Sequence, residues 1–189
     1  MKSLRDKTEQ ILSAAVKVFI KKGLQATTQE IAKEADVAEV TLFRKFSTKQ
    51  NLFITVIKNV LEKQFDSQIT RLAKEENTEE FLIKIIENRL SILSKNSALV
   101  KMLISESMMG NLTEEVNLPN MIFASLEKGL GMHFENLNVS VDTQLYARHL
   151  GGIFLSQIVF QNEMPFHQLN ENEKSQLARR YARSVMALK

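Results

Sequence analysis

Side chains that suit contact with a polyanion are concentrated between residues 27 and 49 of this chain. The segment holds the adjacent hydroxyls of Thr27 and Thr28, and further on the cations Arg44, Lys45 and Lys49. An Arg can hydrogen-bond a guanine edge with two N–H groups, whereas Lys and Thr side chains suit backbone phosphates. These residue types point to nucleic-acid binding, provided that the fold places them on one face.

The charge of the chain supports the same interpretation once it is divided along the sequence. The formal net charge is +3, yet residues 1–51 hold ten Lys/Arg against six Asp/Glu, whereas residues 52–189 hold fifteen against sixteen. The basic excess therefore lies in the N-terminal quarter, where a polyanion would bind. Charge by itself is a weak indication, because imbalances of this size also occur by chance.

Apolar spacing predicts the elements that must position these side chains. An amphipathic first helix covers about residues 5–22 and ends at Gly23. Two short helices follow, at about 28–35 and 39–46, joined by a tight turn at Asp36–Ala38. Thr27 or Thr28 can cap the first of these two helices. A supporting helix followed by two short helices and a three-residue turn is the arrangement of a helix-turn-helix.

The rest of the chain is also predicted to be helical, because it shows no strand alternation and has only two Pro and six Gly. Ser47 or Thr48 caps the first of six further helices. The sequence therefore predicts an all-α fold with a three-helix helix-turn-helix head at residues 1–50 and a six-helix body at 51–189. The six helices are predicted at about 48–74, 78–95, 98–109, 115–134, 142–162 and 171–187.

Composition excludes several kinds of site. The chain has no Cys, so it has no disulfide, no thiolate metal site and no cysteine nucleophile. His133, His149 and His167 lack the spacing of a metal site, and no catalytic triad or acid pair stands out, so we expect no metal, no cofactor and no enzyme activity. No stretch resembles a signal peptide or reaches the roughly 18 apolar residues of a membrane span. We expect a cytoplasmic protein without membrane association.

A dense motif of small, aromatic, hydroxyl and basic residues runs through the head. It begins with A-x-x-x-F in the first helix and ends shortly after the T-L-F-R-K-F run. Its members are Ala15, Phe19, Gly23, Thr27, Thr28, Ile31, Ala32, Ala35, Val37, residues 41–46, Ser47, Lys49 and Leu52. Over these residues the chain resembles the N-terminal domain of the tetracycline-repressor (TetR) family of bacterial transcriptional regulators. The remaining three quarters resemble that family only in the number and length of the helices.

The resemblance implies that the third helix enters the major groove of double-stranded DNA. Val37, Leu42 and Phe46 would face the head's core, leaving the other side of the helix for DNA. Arg44 would bond a guanine edge and Glu39 a cytosine amino group. The full set of predicted DNA contacts is Thr27, Thr28, Glu39, Val40, Thr41, Phe43, Arg44, Lys45 and Lys49.

Three residues depart from the family pattern. Asp36 stands where the family often has Gly, and Asp tolerates the left-handed conformation that such a turn requires. Ala38 stands where Ser is common, which removes a side-chain cap worth about 1 kcal/mol. Phe43 replaces the usual Tyr and so lacks a hydroxyl for phosphate. None of the three alters the predicted fold.

Seven of the eight Met residues lie after residue 100, which suits an adaptable apolar pocket. The family resemblance places a pocket for a small-molecule effector among the helices of the body, with Glu106 as a polar anchor. The alternative is that these Met and Phe side chains simply fill the core. The predicted lining residues are Met102, Glu106, Met109, Met121, Phe123 and Phe154.

Gly151 and Gly152 interrupt a predicted helix, and close approach by another helix would explain them. In the resembled family the last two helices of each subunit form a four-helix bundle, which implies a homodimer. The alternative is tight packing within one chain. The predicted interface residues are Leu150, Gly151, Ile153, Phe154, Gln157, Ile158, Leu177, Tyr181, Ser184 and Val185.

The resemblance implies a ligand-responsive transcriptional regulator, in particular a repressor. It would bind a palindromic operator as a homodimer and leave it when a small, mostly apolar effector occupies the body. Two alternatives stay open at this point. One is a DNA-binding dimer that senses no small molecule, and the other is a ligand carrier or small enzyme whose head has lost DNA binding.

Overall fold

The computed structural model describes residues 4–112, 116–160 and 164–187, except for the side chains of residues 4–6, Gln64 and residues 118–122. Every long regular element in these ranges is a helix, which confirms the all-α prediction. The helices are α1 (Leu4–Lys22), α2 (Thr28–Glu34), α3 (Glu39–Phe46), α4 (Lys49–Ile57), α5 (Lys63–Leu72), α6 (Thr78–Lys95), α7 (Ser97–Met108), α8 (Leu118–Asn136), α9 (Thr143–Val159) and α10 (Glu171–Met186). Short 3-10 turns occupy Gly23–Gln25 and Phe166–Gln168, and a π-helical turn occupies Lys58–Glu62.

The chain divides into two compact units, each built from two stretches of sequence. The first unit contains residues 1–60 and 98–116, and the second contains residues 61–97 and 117–189. Helices α1 to α4 and nearly all of α7 therefore belong to the first unit. The boundary predicted between residues 50 and 51 separates a DNA-binding head from a ligand-binding and dimerisation body. That division by function stays a prediction.

Side-chain caps explain where the short helices of the first unit begin. Thr27 caps α2, its hydroxyl accepting from the Glu30 N–H at 3.2 Å, while the Glu30 carboxylate accepts from the Thr27 N–H at 3.1 Å. This reciprocal pair satisfies two N–H groups that the helix itself leaves unpaired. Thr48 caps α4 by accepting from the Asn51 N–H at 3.0 Å. The two alternatives left open by the sequence are thus resolved to Thr27 and Thr48.

The turn between α2 and α3 has the conformation expected for its residues. Asp36 adopts a φ of +49°, the left-handed region that Asp tolerates better than most residues. Ala38 begins α3 without a side-chain cap, as expected. Thr28 supplies a substitute contact, because its hydroxyl donates to the Glu39 carboxylate at 2.5 Å and so links the starts of α2 and α3.

Aromatic and aliphatic side chains form the core of the first unit. Phe19 on α1 and Phe53 on α4 meet edge to face, with ring centroids 4.9 Å apart. Leu42 and Phe46 are buried on the inner side of α3, as predicted. Val37 is a correction to the predicted core set: it lies in the turn and is only half-buried, because the turn places it at the margin of the helix packing.

The second unit packs α5, α6, α8, α9 and α10 together and encloses several polar side chains, among them His133 and Arg89. His133 on α8 is fully buried, with its ring stacked on Phe81 at 3.9 Å between centroids and its Nε2 3.1 Å from the Thr78 hydroxyl. Arg89 on α6 is buried as well and ion-pairs with Glu62 at 2.7 Å. Within the described ranges, no helix combines the length and the apolar character that crossing a membrane requires.

Candidate nucleic-acid interface

The outer face of α3 carries most of the predicted base contacts. Val40 is 73% exposed and Phe43 is 43% exposed. Arg44 is exposed beside them, while Glu39 and Thr41 are half-buried. Because the opposite side of α3 supplies core residues, this face presents a continuous mixed surface of apolar and cationic groups. A helix with this division suits insertion into a DNA groove.

The predicted phosphate-binding lysines are held against the first unit by hydrogen bonds. Lys49 Nζ donates to the Leu24 carbonyl oxygen at 2.8 Å, and Lys45 Nζ donates to the Thr8 hydroxyl at 2.7 Å. An ammonium carries three donors, so the hydrogen bond from Lys49 to Leu24 leaves capacity for a phosphate oxygen. The contacts orient both cations without removing their charge.

Two carboxylates moderate the positive potential at the start of α2 and α3. A hydrogen bond from Lys22 lowers the pKa of Glu30, assisted by the Thr27 N–H, so Glu30 stays charged beside the capping hydroxyl. Glu39 lies at the first position of α3 and accepts from Thr28. The carboxylates of Glu30 and Glu39 would repel a nearby phosphate, whereas Arg44 and Lys49 would attract it.

The residues predicted to line an effector pocket fall into both compact units. Met102, Glu106 and Met109 lie in the first unit, where Glu106 is buried and Met109 is 61% exposed. Phe123 and Phe154 lie in the second unit, half-buried and buried respectively. Met121 lies in α8, but its side chain is outside the described residues. The predicted pocket stays a prediction.

Burial divides the predicted interface residues into two groups. Leu150, Phe154, Ile158 and Val185 are at most 2% exposed within the single chain, so they present no surface to a partner and are corrected to core positions. Gly151 is explained inside the chain too, because a Cβ there would lie 2.4 Å from a Phe123 ring carbon. The predicted residues that retain surface are Ile153, Gln157, Leu177, Tyr181 and Ser184.

Sequence reasoning missed the network around Glu106 that organises the turn after α1. The Glu106 carboxylate accepts from the Leu24 N–H at 2.9 Å and from the Asn111 side-chain amide at 2.7 Å. Gly23, with a φ of +57°, leaves the space that this carboxylate occupies. Gly23 signals a turn in the sequence, but nothing local identifies a partner more than eighty residues away.

In the described parts of the chain, no group of three His, Asp or Glu side chains could hold a metal ion.

Comparison with known proteins gives a family match to the head. Residues 11–56 match the family model for bacterial regulatory proteins of the tetR family. An uncharacterized HTH-type transcriptional regulator of Bacillus subtilis, YvkB, is 48% identical over 50 residues, which are 26% of this chain and 26% of that protein. The matches to the first sequence relatives span 26% to 66% of those proteins' own lengths.

Solved structures match over nearly the whole chain. A Clostridium perfringens protein described as a fatty acid metabolism regulator is 26% identical, with a TM-score of 0.73, covering 95% of this chain and 100% of that one. The transcriptional regulator FadR of Bacillus subtilis, solved in complex with stearoyl-CoA, is 17% identical, with a TM-score of 0.67, covering 94% of this chain and 97% of that one. At 17% identity the likeness is one of fold.

Proposed function

Residues 11–56 make this chain a member of the tetR family of bacterial regulatory proteins, and from that premise we propose that it is a ligand-responsive transcriptional repressor. The observation that carries the proposal is the outer face of α3, where exposed Val40, Phe43 and Arg44 stand opposite buried Leu42 and Phe46. This face reads base edges in the major groove of a palindromic operator. In a homodimer the two α3 helices lie about 34–36 Å apart, so that they enter successive grooves.

The head divides recognition between two cations of different geometry. Arg44 is exposed on α3, and its planar guanidinium suits a bidentate bond to a guanine edge. Lys49 stands at the start of α4, bonded to Leu24, and its ammonium suits a phosphate oxygen. Phe43 packs on the sugar–phosphate chain through its ring, because it has no hydroxyl to donate.

The homodimer forms through the exposed sides of α9 and α10. Gln157 on α9 donates to the Tyr181 hydroxyl on α10 at 2.6 Å, which holds these two helices in register. Leu145 and Val159 on α9 are 44% and 40% exposed, and Phe160 just beyond it is 75% exposed. Apolar side chains left exposed along one helix are typical of a surface that a second subunit covers.

The effector is a mostly apolar molecule bound in the second unit, and a fatty acyl thioester is our first candidate. The support is chemical and comparative: the half-buried Phe123 and the buried Phe154 place aromatic side chains there, and the FadR structure of similar fold holds stearoyl-CoA. Ligand and operator oppose each other because they prefer different conformations of the protein. A coupling of about 1–3 kcal/mol is typical of such pairs and corresponds to about a 5- to 150-fold loss of DNA affinity.

The DNA-binding part is tested by fluorescence anisotropy with the DNA upstream of the chain's own coding sequence. Arg44→Ala is expected to weaken binding to the operator by about 1–3 kcal/mol while scarcely changing the affinity for unrelated DNA. Lys49→Ala is expected to weaken binding to both DNAs alike. It should also reduce the slope of log affinity against log salt concentration by about one. Lys63→Ala, an exposed lysine of the second unit, serves as the matched control. Folded protein that binds neither DNA at low salt would remove the repressor proposal.

The sensing part is tested in the same assay by adding stearoyl-CoA, with free coenzyme A as the control. Release of the operator by stearoyl-CoA but not by coenzyme A is the expected result. If neither changes the affinity, the effector is not an acyl thioester. If the operator is bound in every condition and the second unit binds no apolar ligand, the protein is a regulator without this kind of sensing.

A further inference from the structure

A cavity within the first compact unit opens between the turn after α1, the start of α4 and, beyond α7, Asn111, Leu112 and Val116. Its volume is about 230 Å³. An engineered apolar cavity of about 150 Å³ accepts benzene, whereas drug-sized ligands occupy pockets of roughly 300–1,000 Å³. The cavity therefore has the size for a small molecule with a single ring or a short chain.

The lining of the cavity combines apolar side chains with the amides of Gln50 and Asn111 and one cationic group. Leu24, Phe53, Leu112 and Val116 supply the apolar surface. Of the described residues that line it, Lys49 alone is charged. A molecule with an apolar body and a single anionic head matches this division, because the body replaces water against the walls while the head meets the ammonium.

The walls are held in place before any ligand binds. The buried Glu106 carboxylate accepts from the Leu24 N–H at 2.9 Å and from the Asn111 side-chain amide at 2.7 Å, so it ties two of the lining residues together. The Asn111 N–H also donates to the Glu106 carbonyl oxygen at 2.9 Å. Phe53 and Val116 are buried, at 2% and 5% exposure. A cavity preorganised in this way spares a ligand the entropy cost of ordering its walls.

The cationic group of the cavity is also a proposed DNA contact. Lys49 Nζ already bonds the Leu24 carbonyl, which leaves two of its three donors for other acceptors. A carboxylate and a DNA phosphate would compete for those donors and for the same positive charge. Occupation of the cavity would thus weaken phosphate binding without touching α3.

We propose that this cavity is a binding site for a small monocarboxylate with an aryl or short alkyl body, and that its occupation lowers DNA affinity through Lys49. The site is separate from the effector site proposed in the second unit. The binding claim stands on the cavity, while the regulatory claim rests on the proposed repressor function.

Binding is tested on the full chain by ligand-detected NMR titration with benzoate and with benzamide, its neutral analogue of similar shape. Benzoate is expected to bind with a Kd of about 1 mM or below, the affinity that so few atoms allow, and benzamide about tenfold more weakly. Lys49→Gln is expected to abolish the preference for benzoate while retaining weak binding of both. Equal binding of the two compounds by the wild type, or no benzoate binding up to about ten times that Kd, would overturn the proposal.

A variant that fills the cavity tests whether benzoate binds there or elsewhere on the protein. Leu112→Trp places an indole in the space, and Leu137→Trp, at a half-buried position of the second unit, is the matched control. Benzoate binding should fall at least about tenfold in Leu112→Trp, a loss of about 1.4 kcal/mol or more, and stay within about twofold in Leu137→Trp. Circular dichroism checks that both variants fold, and if Leu112→Trp does not, the Lys49→Gln result decides. Unchanged binding in folded Leu112→Trp would place benzoate elsewhere and refute the site.

The regulatory claim has its own measurement. Benzoate is expected to weaken operator binding by the wild type and by Leu137→Trp, but not by Leu112→Trp, when acetate at equal concentration is the control for ionic strength. If benzoate binds the cavity and operator affinity is unchanged, regulation through Lys49 is wrong. If the wild type binds no DNA at all, the repressor proposal fails while the binding site stands on the NMR result.

Discussion

Replacing Gly23 by Ala should disturb the first unit more than its small size suggests. Gly23 has a φ of +57°, and an added Cβ would lie 1.9 Å from the Glu106 carboxylate oxygen Oε1 and 3.2 Å from its carboxyl carbon. The oxygen is the far end of a flexible side chain, so it can move away. In moving, it gives up the hydrogen bond from the Leu24 N–H, which is 2.9 Å long.

Two costs add in this variant. A non-glycine residue in the left-handed region costs about 1–2 kcal/mol. Loss of a hydrogen bond to a charged group costs about 1.5–3 kcal/mol. We therefore expect Gly23→Ala to destabilise the protein by about 2.5–5 kcal/mol. Gly110→Ala isolates the first cost, because Gly110 has a φ of +70° and no atom within 4 Å of its added Cβ.

Thermal unfolding monitored by circular dichroism measures the difference between the two glycine variants. Both lose the same flexibility of the unfolded chain, so that contribution cancels in the comparison. Gly23→Ala should melt about 3–12 °C below Gly110→Ala, which follows from about 2–4 °C per kcal/mol for a chain of this length. Hydrogen exchange of the backbone near residue 24 should also be faster in Gly23→Ala alone.

A double variant tests the assigned cause. In Gly23→Ala combined with Glu106→Ala the clash is absent, so the pair should cost about 1.5–3 kcal/mol less than the sum of the single variants. Equal melting temperatures for Gly23→Ala and Gly110→Ala, or strict additivity in the double variant, would refute the reasoning. Either result would mean that Glu106 does not organise the turn.

Two further predictions concern the buried polar groups of the second unit. Burial lowers the pKa of His133 below the 6.5 of the unfolded chain, so its neutral form contributes stability that is complete above pH 6.5 and is lost as the pH falls. When urea unfolding is measured from pH 7 to 5, the free energy of unfolding should fall less steeply in His133→Gln than in the wild type or in His149→Gln, an exposed control. Parallel pH dependences in the three proteins would contradict this. Arg89→Met should destabilise by about 3–5 kcal/mol, because it leaves the Glu62 carboxylate buried without its partner. Arg89→Met with Glu62→Leu should recover most of that loss in urea unfolding, and a double variant as unstable as Arg89→Met would argue against the ion pair as the cause.

The helix-turn-helix could be predicted closely because its signals are local. Thr27 lies three residues before Glu30, and this spacing is sufficient for a reciprocal cap within one turn of helix. Asp36 supplies the left-handed turn through its own backbone preference. The inward positions of Leu42 and Phe46 follow from helical periodicity, so their burial needed no knowledge of distant residues.

The glycine pair in α9 shows where local signals become ambiguous. Gly151 does mark a close approach, as expected, but the approaching group is the Phe123 ring of the same chain. The same holds for Leu150 and Val185, whose apolar character predicts burial without saying what buries them. Helical periodicity identifies a packed face, whereas the identity of the neighbour depends on the whole arrangement of helices.

By itself, the sequence determined the helices, the turn and the resemblance of the head to a known family, because caps, periodicity and motif spacing act over a few residues. Only the tertiary structure decided that residues 98–116 join the first unit, that Glu106 occupies the space left by Gly23, and that Lys49 lines a cavity. These contacts bring together residues from distant parts of the sequence. Their formation depends on packing and on the pairing of buried polar groups, and neither leaves a periodic mark in the sequence.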